Sequence, residues 1–348
     1  MTTPGKLQHL RRLADASGFF KMVAVDQRPP IAQIVAKGRG IAPADAAFAD
    51  ICALKRLLAQ ELAPHSTAIL VDPNFAYPAA IDVIPAHAGL ILTLEEHRFA
   101  ETPGGRRSDS IPHWSVEKIK KIGGDGVKVL AWYRPDAAEQ INAHQRAYVA
   151  SVGKACAAFD IPFVFELLVY PFPGAREHTA AYVEDRAKQP QMVIDSVKEF
   201  ADPKYGVDLF KLESPVPAAD LPKAGDAEGA ARVQTLFDAM GRAAGRPWVM
   251  LSAGAGMADF ASVLDYAFEA GASGFLAGRA IWWQALQAFP DIEACRAALR
   301  AEGVPYFARL AAMTEAQATP WRPDYSGLAH FKAEGEFSQA IAGFGSVA

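Results

Sequence analysis

Gly126-Val-Lys-Val-Leu-Ala-Trp-Tyr133 and Asp208-Leu-Phe-Lys-Leu-Glu-Ser-Pro215 decide how this chain folds. Each is a short apolar run rich in β-prone residues and bounded by turn formers, so each reads as a strand buried on both faces, as in a parallel sheet. Each also carries a lysine in its middle, Lys128 and Lys211. An ammonium flanked by Val, Leu and Phe loses hydration, which favours the neutral amine that a Schiff-base lysine needs.

Working outward, six more runs of the same kind recur: 21–26, 68–72, 89–94, 162–169, 247–252 and 274–277. Helical spacing fills most of the intervals, at Pro43 to Leu62, Ser115 to Ile122, Asp136 to Phe159, Gln189 to Phe200 and Met257 to Ala270. Eight strands alternating with helices predict a (β/α)8 TIM barrel, one domain over residues 1–348 with a helical C-terminal extension from about 290 to 348. A doubly wound sheet is the runner-up. It favours a Gly-x-Gly-x-x-Gly turn after the first strand, where this chain has Asp26-Gln-Arg-Pro-Pro30.

Composition excludes several roles. A net charge of −4 gives no reason to expect nucleic acid or an acidic membrane surface as partner. No run approaches the roughly 18 apolar residues of a membrane span, and the first residues lack a signal-peptide core, so a cytoplasmic protein is expected. Cys52, Cys156 and Cys295 are widely spaced and read as reduced thiols. The eight histidines show no H-x-x-x-H or H-x-H spacing, so no metal and no cofactor is expected, and no Gly-x-Ser-x-Gly elbow supports a hydrolase. His97 and His178 follow strands and stay open as substrate contacts. The run Ala280-Ile-Trp-Trp283, read as an exposed apolar face, points to a homo-oligomer.

In a barrel, alternate strand residues point inward and chemistry gathers at the carboxyl ends of the strands. Asp26, Lys128, Glu166, Lys211 and Glu213 meet both conditions. Lys128, Glu166 and Lys211 come from neighbouring strands and should converge. On the residues alone either lysine could be the nucleophile, although Lys211 has the more apolar flanks. The apolar setting of Glu166 predicts a raised pKa, suited to an acid/base, with a fixed ion-pair partner as the alternative. Ser252-Ala-Gly-Ala-Gly256 and Gly278-Arg279 follow the seventh and eighth strands, where glycine N–H groups and an arginine can take a phosphate.

The runs Ala24-Val-Asp-Gln-Arg28, Asp72-Pro73, Trp114-Ser115, Gly126-Val-Lys-Val-Leu130, Phe165-Glu-Leu-Leu168, Phe210-Lys-Leu-Glu213, Leu251-Ser-Ala-Gly254 and Gly278-Arg279, in this order over roughly residues 10 to 320, resemble the tagatose 1,6-bisphosphate aldolase family of class I aldolases. The resemblance implies a metal-free (β/α)8 barrel that cleaves ketose 1,6-bisphosphates to dihydroxyacetone phosphate and an aldehyde. It implies that Lys211 forms the Schiff base, that Glu166 is the acid/base and that Lys128 is a neighbouring cation. Asp26, Gln27 and Arg28 would lie at the substrate, and Ser252, Gly254, Gly278 and Arg279 at a phosphate.

The chain departs from the family pattern at Pro29-Pro30 and at the exit of the fifth strand, Tyr170-Pro-Phe-Pro-Gly-Ala-Arg176. The resemblance implies that these loops help line the part of the site that would hold the far end of the sugar. A related branch cleaves 6-deoxy-6-sulfofructose 1-phosphate, and Arg28, Arg106, Arg107 and Arg176 could serve either anion. Two readings from other classes are a sugar-phosphate isomerase working through Glu166 and a non-catalytic sugar-phosphate sensor.

Overall fold

Runs of Val, Ile, Leu and Phe that are apolar on both faces have to be covered on both, and the chain achieves this by closing its sheet into a ring. The computed structural model of the protein describes residues 3–172, 185–341 and 343. The strands are β1 (Phe20–Ala24), β2 (Ala68–Val71), β3 (Gly89–Thr93), β4 (Gly126–Trp132), β5 (Phe163–Leu168), β6 (Leu209–Leu212), β7 (Trp248–Met250) and β8 (Gly274–Ala277). They are all parallel, each pairs with the next, and β8 returns to β1 with Phe20 opposite Gly274. The doubly wound alternative is therefore excluded. Several observed strands stop short of the expected runs at their carboxyl ends, so that Asp26 and Glu213 lie just past the strands that were expected to hold them.

The barrel is filled from below. Met22, Leu70, Ile91, Val164, Leu209, Val249 and Leu276 point inward and pack with Leu10 and Leu13 of the helix Pro4–Leu13. Trp321 closes the same end, its ring 5.9 Å from that of Phe20. The Pro/Gly-marked segment after the helix Val304–Gln317 thus has a packing role at the floor of the barrel. Strand alternation then fixes the next layer: two residues beyond Val164 is Glu166, and two beyond Leu209 is Lys211.

Two expectations need correction. Pro29 and Pro30 open the helix Pro29–Arg39, at positions where a missing N–H costs nothing, so they form a helix start and not a loop. Ala280, Ile281 and Trp282 are buried in the main core, leaving only Trp283 half-buried, so no exposed apolar face exists there. A hairpin of Ala100–Thr102 and Gly105–Arg107, inserted after β3, went unrecognised in the sequence. Among the described residues no helix is long and apolar enough to cross a membrane.

Candidate active site

Register brings the three ionisable strand residues together. Glu166 stands opposite Lys211 across β5 and β6, and Leu130, two residues beyond Lys128, stands opposite Glu166 across β4 and β5. Glu166 Oε2 lies 2.9 Å from Lys211 Nζ and 2.9 Å from Lys128 Nζ, so one carboxylate oxygen bridges both ammonium groups. Lys128 also donates to Asp26 Oδ2 at 3.0 Å and to Glu95 Oε1 at 2.5 Å. An ammonium has three donors, and here three carboxylates from three parts of the barrel meet them.

The charges set one another. Burial pushes Asp26 up, but Lys128 and Lys211 outweigh it and hold the carboxyl well below the usual aspartate range. Glu166 behaves alike: burial raises it, and the ammonium groups of Lys128 and Lys211 bring it below the ordinary glutamate value. The raised pKa expected from its apolar neighbours is thus overturned, because flanking residues in sequence point away from the barrel interior while the two lysines share it. Glu95 goes the other way. Burial pushes it up, and Lys128 and Arg28 do not compensate fully.

The turn after β1 is held from outside the barrel. Lys55, on the helix Phe48–Leu62, is fully buried, pairs with Asp72 and donates to the Val25 carbonyl at 2.7 Å. It fixes the peptide that carries Asp26. Burial lowers the Lys55 pKa despite Asp72. Lys55→Ala would strand the Asp72 carboxylate and the Val25 carbonyl, a loss of about 3–5 kcal/mol, read as a lower urea midpoint. Nothing in the sequence flagged Lys55, since it sits in an ordinary amphipathic helix.

The cavity at the carboxyl end of the barrel is lined by Asp26, Gln27, Arg28, Lys128, Glu166 and Lys211 on one side and by Ser252, Gly278 and Arg279 on the other. Its volume of about 40 Å³ is enough for little more than ordered water or a few substrate atoms. Past Arg279 it adjoins a groove of about 490 Å³ lined by Gly254, Gly256, Met257, Pro29 and Trp283. Arg279 lines both. A Cβ at Gly254, where φ is +90°, would lie 3.2 Å from Arg279 Nη1, and one at Gly278 would lie 2.6 Å from the Ala24 carbonyl. Gly254 thus keeps the backbone close to Arg279, and Gly278 lets the turn after β8 pack against β1.

Of the four arginines considered for a second anion, Arg28 lines the cavity, with Nε and Nη1 buried and lacking hydrogen-bond partners. Arg106 does not. Its guanidinium lies 4.4 Å from the Phe99 ring centroid and 4.7 Å from that of Trp132, and it pairs with Glu101. Arg107 contacts His144 on the exposed side. Arg176 and His178 lie outside the described residues. His97 lines the cavity, and burial, then Arg28, hold it down at about 4, so it is a neutral imidazole at pH 7. Glu213 is not at the reacting centre: it accepts from Val169 N and pairs with buried Lys188, tying β6 to the exit of β5.

The parallel eight-stranded barrel brings lysine, glutamate and lysine together at the carboxyl ends of its strands, and comparison with known proteins gives the class: an aldolase, and hence a carbon–carbon lyase. The chain matches the model of the DeoC/LacD family aldolases over residues 20–284 and belongs to that family. It is 32% identical to tagatose 1,6-diphosphate aldolase 1 of Streptococcus mutans, over 92% of this chain and 98% of that protein. It is 33% identical to the tagatose 1,6-diphosphate aldolase of Streptococcus pneumoniae with the same coverage. Among solved structures, a fructose-bisphosphate aldolase from Plasmodium falciparum superposes with a TM-score of 0.62 at 10% identity, covering 92% of this chain and 98% of that one. At that identity the likeness is one of fold.

Proposed function

We propose that this enzyme cleaves a ketose 1,6-bisphosphate, of the tagatose or fructose type, to dihydroxyacetone phosphate and an aldehyde through a Schiff base on Lys211. The observation that carries the reading is the 2.9 Å contact between Lys211 Nζ and Glu166 Oε2. It provides the proton acceptor that turns an ammonium into a nucleophilic amine. Lys211 Nζ then attacks the C2 carbonyl carbon, and a proton returned from Glu166 lets the C2 oxygen leave as water, giving a protonated imine.

The imine is an electron sink. Glu166, ionised again, takes the C4 hydroxyl proton, the C3–C4 bond breaks, and its electron pair passes into the imine to form an enamine. The aldehyde leaves, the enamine is protonated at C3, and hydrolysis frees dihydroxyacetone phosphate from Lys211. Lys128 stays paired throughout and fixes Glu166. Ser252, Gly254, Gly278 and Arg279 hold the phosphate of the three-carbon part, which keeps C2 at Lys211 in both halves of the cycle. Arg28 and neutral His97 face the far end of the sugar. A sulfonate there, as in 6-deoxy-6-sulfofructose 1-phosphate, would also suit Arg28.

Borohydride reduction in the presence of dihydroxyacetone phosphate should add the reduced triose phosphate to the peptide bearing Lys211, read by mass spectrometry. An isomerase or a sensor would leave Lys211 unmodified at saturating ligand. Arg279→Ala removes a charge-assisted phosphate contact made alike in ground and transition states. KM should rise about tenfold or more with kcat changed less.

A further inference from the structure

Glu95 was invisible in the sequence, lying just past β3 without a motif, yet it is 1% exposed and its Oε1 is 2.5 Å from Lys128 Nζ. Of the three carboxylates on that ammonium, Asp26 and Glu166 line the cavity, while Glu95 stands behind Lys128. Its second oxygen, Oε2, is buried without a hydrogen-bond partner. The hydrogen bond that joins the Glu95 carboxylate to the site is the one to Lys128.

We propose that Glu95 is a positioning residue of the aldol reaction, acting through Lys128: it competes with Glu166 for that ammonium and so sets how free the Glu166 carboxylate is to take the substrate proton. This rests on the assignment of Lys211 and Glu166 above. Lys128 has a fixed number of donors, and a charged acceptor draws them more strongly than a neutral one. While Glu95 keeps its proton, Lys128 leans on Asp26 and Glu166. Once Glu95 ionises, Lys128 shifts towards it, and Glu166 becomes the stronger base.

The groups facing Glu95 come from every side. Lys128 is on β4, Asp26 and Arg28 follow β1, and Tyr148 is on the helix Glu139–Ala158. Arg28 Nη2 donates to the Glu95 carbonyl, and residue 95 bridges to Ser110. Burial favours the protonated acid, with Asp26 adding to it, while Lys128 and Arg28 oppose. The ionisation of Glu95 accordingly falls above the ordinary glutamate value, and kcat should rise through it.

Glu95→Gln keeps the shape and an acceptor for Lys128 but cannot ionise. Its kcat for cleavage of the ketose bisphosphate should lie about tenfold below wild type on the alkaline side and converge with it as pH falls, with KM within about threefold throughout. A wild-type to variant kcat ratio that is constant across pH, or a loss confined to KM, would overturn the proposal. Should Glu95→Gln fail to fold, Glu95→Asp is read in the same way: it keeps the ionisation with a shorter reach, and a profile superimposable on wild type would sink the idea. Borohydride trapping at Lys211, run on the same samples, separates the two levels. Wild type that does not trap refutes the Schiff-base assignment, whereas normal trapping with an unchanged profile refutes only the role of Glu95.

Discussion

Lys211→Ala is expected to lower kcat for ketose-bisphosphate cleavage by about 10⁵-fold and to abolish borohydride trapping, while leaving the protein folded. The size of the effect follows from what is removed. Without the amine there is no imine, and without the imine the electrons of the C3–C4 bond have nowhere to go, so the residual rate reflects binding and fixed charges alone. Lys128 cannot substitute. It lies as close to Glu166 Oε2, at 2.9 Å, but its other donors are held by Asp26 and Glu95. With its donors turned to Asp26, Glu95 and Glu166, its nitrogen is not presented to a substrate carbonyl. Folding should survive because Lys211 sits above the apolar floor built by Leu209, Val249 and Val164, and loss of its charge also removes a desolvation cost. The measurements are steady-state cleavage and peptide mass after reduction, with circular dichroism as the folding check. Turnover within tenfold of wild type would refute the assignment of the nucleophile.

The barrel was legible because its signal is repeated. Eight apolar runs separated by helical spacing leave few other closures, and the doubly wound alternative lacked its glycine turn. The strand positions of Lys128, Glu166 and Lys211 followed from period-two alternation, and the register of β5 and β6 puts Glu166 opposite Lys211 as that alternation requires. Residues off the strands were another matter. Glu95 and Lys55 act through groups that are distant in sequence, Lys128 at 2.5 Å and the Val25 carbonyl at 2.7 Å, so neither has a local pattern to betray it. The arginines show the converse failure. Arg106 looks like a free cation in the run Gly-Gly-Arg-Arg, yet a β-hairpin turns it inward against Phe99 and Trp132.

The sign of the Glu166 shift was misread for the same reason. Its sequence neighbours Phe165 and Leu167 pack outward with the helices, whereas the barrel interior gives it two ammonium groups. Burial alone raises a carboxyl; burial beside two cations does not. This changes the expected pH behaviour. A glutamate held below its ordinary value is ionised across the neutral range, so the limb of kcat/KM that belongs to Glu166 should fall below the ordinary glutamate value of 4.5, apart from the roughly tenfold step that the ionisation of Glu95 sets above it. The same shift bears on stability. The folded-state pKa is depressed, so the contribution is present above the unfolded value and is lost as pH falls through the folded one.

Glu166→Gln should then give the second-largest loss, about 10²–10⁴-fold in kcat. The amide oxygen can still accept from Lys211 or Lys128, so the architecture is retained, but no group remains to take the Lys211 proton or the C4 hydroxyl proton. Both the approach to the imine and the cleavage of C3–C4 slow down. Trapping separates them: with dihydroxyacetone phosphate, which needs no C–C cleavage, Glu166→Gln should still yield a reduced adduct on Lys211, only more slowly, whereas Lys211→Ala yields none. The limb of kcat/KM below the ordinary glutamate value should vanish with the carboxylate. If Glu166→Gln retained more than about a tenth of wild-type kcat, or kept that limb, the working base would have to be sought among its neighbours, and Asp26, the other ionised carboxylate that lines the cavity, would be the one to test.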